Sequence, residues 1–306
     1  MAGPAFRAAP VRVRAPATSA NLGPGFDAFG LALGWYDDVV ARVADTGLSV
    51  DVAGEGADDV RRDARNLVVR AMYAAFDRLG GRPRGLEVVC ANRIPHGRGL
   101  GSSAAAIVAG LMAARVLVAG GDQHLDEAGL LALATELEGH PDNVAACLHG
   151  GFTVAWTGAA GPEAVRLDPA AGVVPVAFVP QTTASTAKVR RMLPEAVPHA
   201  DAAANAGRAG LLVAALTARP DLLHAATEDL LHQSYRAPAM PRTAKLVESL
   251  RAAGVAAVVS GAGPAVLALL ADASSATGLA EQAGKGWTAY TLAIDLSGAQ
   301  VLPLGS

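Results

Sequence analysis

The 306-residue chain carries 25 Lys and Arg against 28 Asp and Glu, with 7 His, a net charge of -3 and a pI near 6.2. That balance excludes a dedicated nucleic-acid binder, which needs a basic face, and 52% hydrophobic residues exclude an intrinsically disordered chain. The length suits two domains, and with only 4% aromatics the core must be built mainly from Ala, Val and Leu.

The first third reads as strands and turns. Residues 11–17 (VRVRAPA) alternate, Gly23-Pro24-Gly25 marks a turn, and 38–43 with 47–53 read as paired strands. A helix follows over 64–79, with Leu67, Ala71, Ala74 and Ala75 on one face and Gly80-Gly81 at its end. A strand at 85–91 leads into a loop from Arg93 to Ser103 and an Ala-rich helix to Val118. Another helix over 124–138 ends in Gly139-His140-Pro141-Asp142-Asn143. Residues 157–172 are rich in Gly, Pro and Ala, which places a domain boundary there, with units at 1–165 and 166–306. Beyond it the pattern gives a strand at 173–179, helices over 186–233 and 238–253, then strand, Gly turn, strand, helix and strand. That order describes an α+β protein with helices on one face of an antiparallel sheet.

Cys90 and Cys147 have neither metal-ligand nor disulfide-framework spacing, so two buried reduced thiols are expected. With no apolar stretch in the opening residues, the expectation is a cytoplasmic protein. Residues 102–119 and 255–271 are strongly apolar, but the first contains Arg115 and the second is broken by Gly261, Gly263 and Pro264. An Arg at a membrane-helix centre costs roughly 2.5–3.5 kcal/mol, so both are expected to be buried elements with no membrane contact. Arg7, Arg12 and Arg14 read as a solvated face.

The segment Ile94-Pro95-His96-Gly97-Arg98-Gly99-Leu100-Gly101-Ser102-Ser103-Ala104-Ala105 carries the clearest chemistry. Three glycines at alternate positions remove Cβ atoms, so backbone N–H groups can converge on a ligand. Ser102 and Ser103 are expected to cap the helix that follows, whose N-terminus offers unsatisfied donors and the positive end of its dipole. The combination favours an anion, phosphate above all, and the hydroxyls can ligate a hard cation such as Mg2+. No Gly-Lys-Ser/Thr follows, so this is not a Walker A loop. Gly99, Gly101 and Ala104 satisfy a dinucleotide pattern with Asp122 near the acidic position, but such a loop leaves its strand at once and this one does not.

The pattern I-P-x-G-x-G-L-G-S-S-A-A resembles the phosphate loop of the GHMP kinases, the galactokinase–homoserine kinase–mevalonate kinase superfamily. Two further motifs of that superfamily stand in order: Pro16 to Asp27 (PATSANLGPGFD) early and Ser260-Gly261-Ala262-Gly263-Pro264 late. The first, with Glu138 to Ala145 (EGHPDNVA), resembles the branch that phosphorylates L-homoserine. The resemblance runs from about Val11 to Leu296. It implies a two-domain fold, with an N-terminal domain like ribosomal protein S5 domain 2 and a ferredoxin-like C-terminal domain, and a homodimer.

The implied activity is ATP-dependent phosphorylation of L-homoserine, a step of threonine formation, with ATP and Mg2+ as cofactors. The resemblance places Asn66, Pro95, His96, Gly97, Arg98, Gly99, Leu100, Gly101, Ser102, Ser103, Ala104 and Ala105 at the nucleotide, and Ser103 with Glu138 at the metal; Glu136 reads as a solvated neighbour. It places Asn21, Asp27, His140, Asn143, Thr186, Arg190, Arg236 and Gly261 at the acceptor. An amino-acid acceptor wants a carboxylate for its ammonium, here Asp27, and guanidinium groups for its carboxylate, here Arg190 and Arg236. The resemblance makes Asn143, Arg190 and Asn21 the catalytic residues. Asn143 stands where several superfamily members have an aspartate base. An amide cannot accept a proton, so positioning and charge stabilisation are expected, with Asp142 as the alternative base. Two rival readings are a kinase of another small alcohol, such as a mevalonate-type enzyme, and a non-catalytic ligand sensor.

Overall fold

The computed structural model describes residues 3–183, 189–276 and 278–304. Strand β1 (Val11–Ala20) pairs antiparallel with β2 (Phe29–Ala44), and β2 pairs antiparallel with β4 (Gly85–Asn92). Strand β3 (Gly47–Gly54) pairs in parallel with β4, not with β2 as the pattern suggested. Helix α1 (Leu67–Arg78) makes the crossover a parallel pair requires, and β4 is inserted between the two neighbours in sequence.

The Ala-rich helix α2 (Ser102–Leu117) lies inside the first domain, with eleven of its residues buried and small side chains on every face. Gly110 shows why they are small: a Cβ there would sit 2.5 Å from the Val68 carbonyl oxygen of α1. After a single turn, α3 (Gly121–His124), helix α4 (Glu127–Glu138) starts at an Asp126 cap, so the expected 124–138 helix is two elements. His140-Pro141-Asp142-Asn143 is not only a turn. Pro141, with its fixed φ and no N–H to lose, opens a further helix, α5 (Pro141–His149).

The Gly/Pro/Ala-rich stretch also contains structure. Strands β5 (Phe152–Gly158) and β6 (Gly161–Leu167) form a hairpin attached to β2 at Phe29–Leu31. The second sheet has the order β10-β7-β9-β8, with β7 (Val174–Pro180), β8 (Ala256–Val259), β9 (Val266–Leu270) and β10 (Trp287–Thr291) all antiparallel. Its helical elements are α6 (His199–Thr217), α7 (Leu223–Ala226), α8 (Gln233–Arg236), α9 (Pro241–Ala252) and α10 (Leu279–Ala283). The helices expected over 186–233 are, among the described residues, α6, α7 and α8. The last strand, β11 (Gln300–Leu302), crosses back to pair with β1 in the first sheet.

Arg12 and Arg14 do more than face solvent. With Arg93 they surround the buried Asp38 carboxylate at 2.7–3.2 Å, and burial is opposed by these three partners to hold its pKa below the ordinary value. Both cysteines are free and buried. Among the described residues no helix is long and apolar enough to cross a membrane.

Candidate active site

Where β1 ends, Asn21 and Leu22 adopt left-handed backbone (φ 70° and 49°), and Asp27 does so again at φ 57°. Such geometry costs free energy at non-glycine residues, and here it is held by specific bonds. The Asn21 Oδ1 accepts from the Asp27 N–H at 3.0 Å, and its Nδ2 donates to the Gly261 carbonyl at 2.9 Å. Gly261 N–H returns a bond to the Ala20 carbonyl at 3.1 Å. Asn21 therefore ties the early motif to the late glycine turn, and both ends of its amide are engaged within the protein.

The phosphate loop packs on the same two segments. Gly97, Gly99 and Gly101 all have φ between 65° and 78°. A Cβ on Gly99 would lie 2.2 Å from the Ser260 carbonyl oxygen, and one on Gly101 only 1.9 Å from Thr18 Oγ1. Thr18 N–H donates to the Leu100 carbonyl at 3.1 Å, and Ser260 Oγ donates to the Gly99 carbonyl at 2.6 Å. The glycines are thus needed on both counts, conformation and close approach.

Helix α2 begins at Gly101 with no side-chain cap. This corrects the expectation that Ser102 and Ser103 cap it: the first N–H groups are left available, and Ser103 Oγ instead donates to a Glu138 carboxylate oxygen. Pro95, Leu100, Ala104 and Ala105 are buried, so their side chains offer a nucleotide no exposed surface. Arg98 is not aimed at the phosphate position. Its guanidinium donates to the carbonyls of His96 (2.5 Å), Gln181 (2.9 Å) and Pro180 (3.3 Å), fastening the loop to the end of β7.

Beside the loop is a cavity of about 240 Å³ walled by Val60, Leu67, Cys90, His96, Ser102 and Ser103. Asn66 also borders it, but its side chain is that of a helix cap. Oδ1 accepts from Val68 N–H at 2.9 Å and Nδ2 donates to the Arg61 carbonyl at 2.8 Å. Burial pushes the Cys90 thiol up to about 12, so it is an inert wall residue.

On the other side of the loop, Thr18 Oγ1 donates to Asn143 Oδ1 at 2.8 Å. Asn143 and its neighbour Asp142 open α5, with the Asn143 N–H donating to Asp142 Oδ1 at 2.7 Å. Burial lifts Asp142 to about 7, assisted by the charges of Asp27 and Glu138 and opposed by the Asn143 N–H and Arg190. Burial likewise raises Glu138, with the Ser103 hydroxyl pulling the other way. Among the described residues no Lys, Arg or His forms an ion pair with Glu138. A half-buried carboxylate with a hydroxyl beside it and no cation suits Mg2+, which needs one or two carboxylates and takes its other ligands from phosphate and water. Glu136, by contrast, is exposed.

Asp27 forms a two-pronged ion pair with Arg190, the Nη1–Oδ1 contact being 3.2 Å. Arg236 is 3% exposed, and its Nε has no hydrogen-bond partner. A buried guanidinium N–H left unpaired is costly, and a ligand carboxylate would satisfy it. His140 is half-buried among these charges. Burial lowers its pKa, Arg190 and Arg236 lower it further, and Asp27 opposes them. Asn21, Asp27, His140, Asn143, Arg190, Arg236 and Gly261 thus converge on one region. Thr186 lies outside the described residues. The sequence reading missed Thr18, although it stands inside the early motif, because its partner is 125 residues away.

A glycine loop opening a helix, a hydroxyl–carboxylate pair and a nearby ionic acceptor cluster define a small-molecule phosphotransferase. Family models match the chain accordingly: GHMP kinases N terminal domain over residues 66–151 and GHMP kinases C terminal over 203–289. The chain belongs to the GHMP kinases, and the branch in which it falls is that of the homoserine kinases. It is 65% identical over 306 residues to homoserine kinase from Streptomyces avermitilis, with 100% of both chains covered. It is 63% identical over 306 residues to homoserine kinase from Streptomyces coelicolor, covering 100% of this chain and 99% of that one. Among solved structures, homoserine kinase from Cytophaga hutchinsonii superposes with a TM-score of 0.83 at 27% identity, covering 99% of this chain and 100% of the other.

Proposed function

We propose that this protein transfers the γ-phosphoryl group of ATP to the side-chain hydroxyl of L-homoserine, giving O-phospho-L-homoserine and ADP. The acceptor oxygen forms a bond to the γ-phosphorus, the bond to the β–γ bridging oxygen breaks with its electron pair left on ADP, and the hydroxyl proton is released to water. The observation that carries this reading is the joining of one carboxylate and two guanidinium groups, Asp27, Arg190 and Arg236, beside the phosphate loop. That set complements the ammonium and carboxylate of an amino acid. Mevalonate has a carboxylate but no ammonium, so it offers Asp27 no cationic group to bind. A ligand sensor has no need of an intact loop and metal pair.

The triphosphate lies against Gly97–Ser103 and the N-terminus of α2, with the adenosine towards the 240 Å³ cavity. Ser103 and Glu138 would hold Mg2+, which supplies charge neutralisation on the phosphate oxygens when bound. Asn143, braced by Thr18, orients the hydroxyl towards the transferred group; Arg190 and Arg236 hold the acceptor carboxylate, and Asn21 holds the turn that presents Asp27. Phosphoryl transfer through a loose transition state asks mainly for such positioning. A cytoplasmic setting and a homodimer complete the reading, the latter to be checked by sedimentation. The functional test is ADP release with Mg·ATP against L-homoserine, D-homoserine, L-serine, L-threonine, mevalonate and galactose. Turnover concentrated on L-homoserine is expected. A faster alternative acceptor overturns the pocket assignment, and ATP binding without turnover on any acceptor overturns the kinase reading.

A further inference from the structure

Two side chains outside the charged cluster hold its guanidinium groups in place. Arg236 Nη1 lies 3.2 Å from His232 Nδ1, and His232 Nε2 lies 2.9 Å from the Gly23 carbonyl oxygen. A guanidinium can only donate and a carbonyl can only accept. Both bonds therefore exist together only when His232 is neutral, with Nδ1 accepting from Arg236 and Nε2–H donating to Gly23. The ring is fully buried, which favours the neutral form. Its backbone is fixed as well, since Asp229 accepts from the N–H groups of Leu231, His232 and Gln233 at 2.7–3.2 Å. His232 thus links Arg236 to the Gly23 turn that presents Asp27.

Phe26, immediately before Asp27, forms the other support. Its ring stacks on His232 with centroids 5.0 Å apart and planes 30° apart. The guanidinium carbons of Arg236 and Arg190 lie 5.1 Å and 5.6 Å from the same ring centroid. An aromatic face attracts cations and stacks on planar guanidinium groups. One ring thus faces both guanidinium groups, adding to the Asp27 bond of Arg190 and the His232 bond of Arg236.

We propose that His232 and Phe26 are positioning residues for acceptor specificity: they set the placement of Arg236 and Arg190, and so the preference for acceptors bearing an α-carboxylate. This rests on the acceptor reading above. The test compares kcat/KM for L-homoserine with that for 3-aminopropan-1-ol, the same alcohol and amine without the carboxylate. His232→Gln retains a donor towards Gly23 and moves its one acceptor, the amide oxygen, off the Nδ1 position that meets Arg236. Phe26→Leu retains apolar volume without an aromatic face, and Phe26→Tyr restores the face. The ratio of the two kcat/KM values is expected to fall by about 10-fold or more in His232→Gln and Phe26→Leu, and to recover in Phe26→Tyr. A merely structural defect lowers both acceptors in proportion. A ratio that stays at the wild-type value in folded His232→Gln and Phe26→Leu overturns the proposal. A wild-type ratio near one overturns the acceptor reading itself, and this inference with it.

Discussion

Thr18 and Asn143, on β1 and α5, are joined by a hydrogen bond of 2.8 Å from Thr18 Oγ1 to Asn143 Oδ1. The same Thr18 N–H bonds the phosphate loop at Leu100, so one residue registers the nucleotide loop against the acceptor amide. Thr18→Val keeps the shape and removes the hydroxyl, leaving Asn143 free to turn. Loss of a buried hydrogen-bond partner is worth about 1–3 kcal/mol. The expected outcome is a kcat roughly 10-fold lower with a smaller change in the KM for ATP, measured by coupled ADP release. An unchanged kcat removes Asn143 orientation from the mechanism.

The Asp27–Arg190 pair is expected to behave as a ligand-exchangeable contact. An incoming amino acid offers an ammonium to Asp27 and a carboxylate to Arg190, replacing one ion pair by two. Both side chains are about one-third exposed, so solvent screens the pair and its own contribution to stability is small. Asp27→Asn should therefore leave the melting temperature nearly unchanged. It should lower kcat/KM for L-homoserine on the order of 100-fold, since charge-assisted bonds carry most of the recognition. A melting temperature that collapses would make Asp27 structural instead.

Gly99→Ala tests the loop. The residue combines φ of 78° with a Cβ position 2.2 Å from the Ser260 carbonyl oxygen, and backbone carbonyls cannot swing aside as a flexible side chain can. The variant is expected to lose ATP affinity by 10-fold or more and to be destabilised by about 1–3 kcal/mol. Isothermal titration with an ATP analogue and a denaturant melt check the two effects separately.

What was legible in the chain was local. Glycines at alternate positions before an Ala-rich helix announce an anion site because the chemistry lies in consecutive residues. The charged cluster and Glu138 came through family resemblance, not through spacing. What could not be read depends on partners distant in sequence. Nothing local shows that Ser103 turns to Glu138 and not to its own helix N-terminus. Nor does anything local show that Arg98 fastens β7, whereas the cap that Asn66 forms was a local possibility, its partner Val68 N–H lying two residues along the chain. The β2–β3 pairing was misread because adjacent strands usually pair, and only α1 reveals the crossover that lets β4 intervene. Strand β6 was hidden because Gly, Pro and Ala are poor strand formers, and its one partner in the sheet is β5.

Glu138 is expected to matter to metal and not to folding. Glu138→Gln retains an acceptor for the Ser103 hydroxyl and removes the charge that burial makes expensive. Stability should hold or rise slightly. Mg2+-dependent turnover should fall on the order of 100-fold and the Mg2+ concentration for half-maximal rate should rise. Equal Mg2+ curves for the two proteins would place the metal elsewhere.

Asp142 separates the two accounts of proton removal. Its folded pKa is raised by burial to about 7, above the unfolded value of 3.8. The folded state therefore holds the proton more tightly than the unfolded state, and the group's favourable contribution is complete below about pH 4 and lost as pH rises through about 7. Asp142→Asn abolishes that dependence, and its amide oxygen can still accept from the Asn143 N–H. Without Mg2+ or nucleotide, the variant should match the wild type near pH 4 and exceed it progressively up to pH 7. Above pH 7 the difference should level off on the order of 4 kcal/mol. Denaturant melts between pH 4 and 8 measure it. If positioning alone drives the reaction, the same variant keeps kcat within about 10-fold, because general-base catalysis is worth 10²–10⁴. A loss of several hundred-fold, with stability gained as described, would make Asp142 the base and reduce Asn143 to its orienting partner.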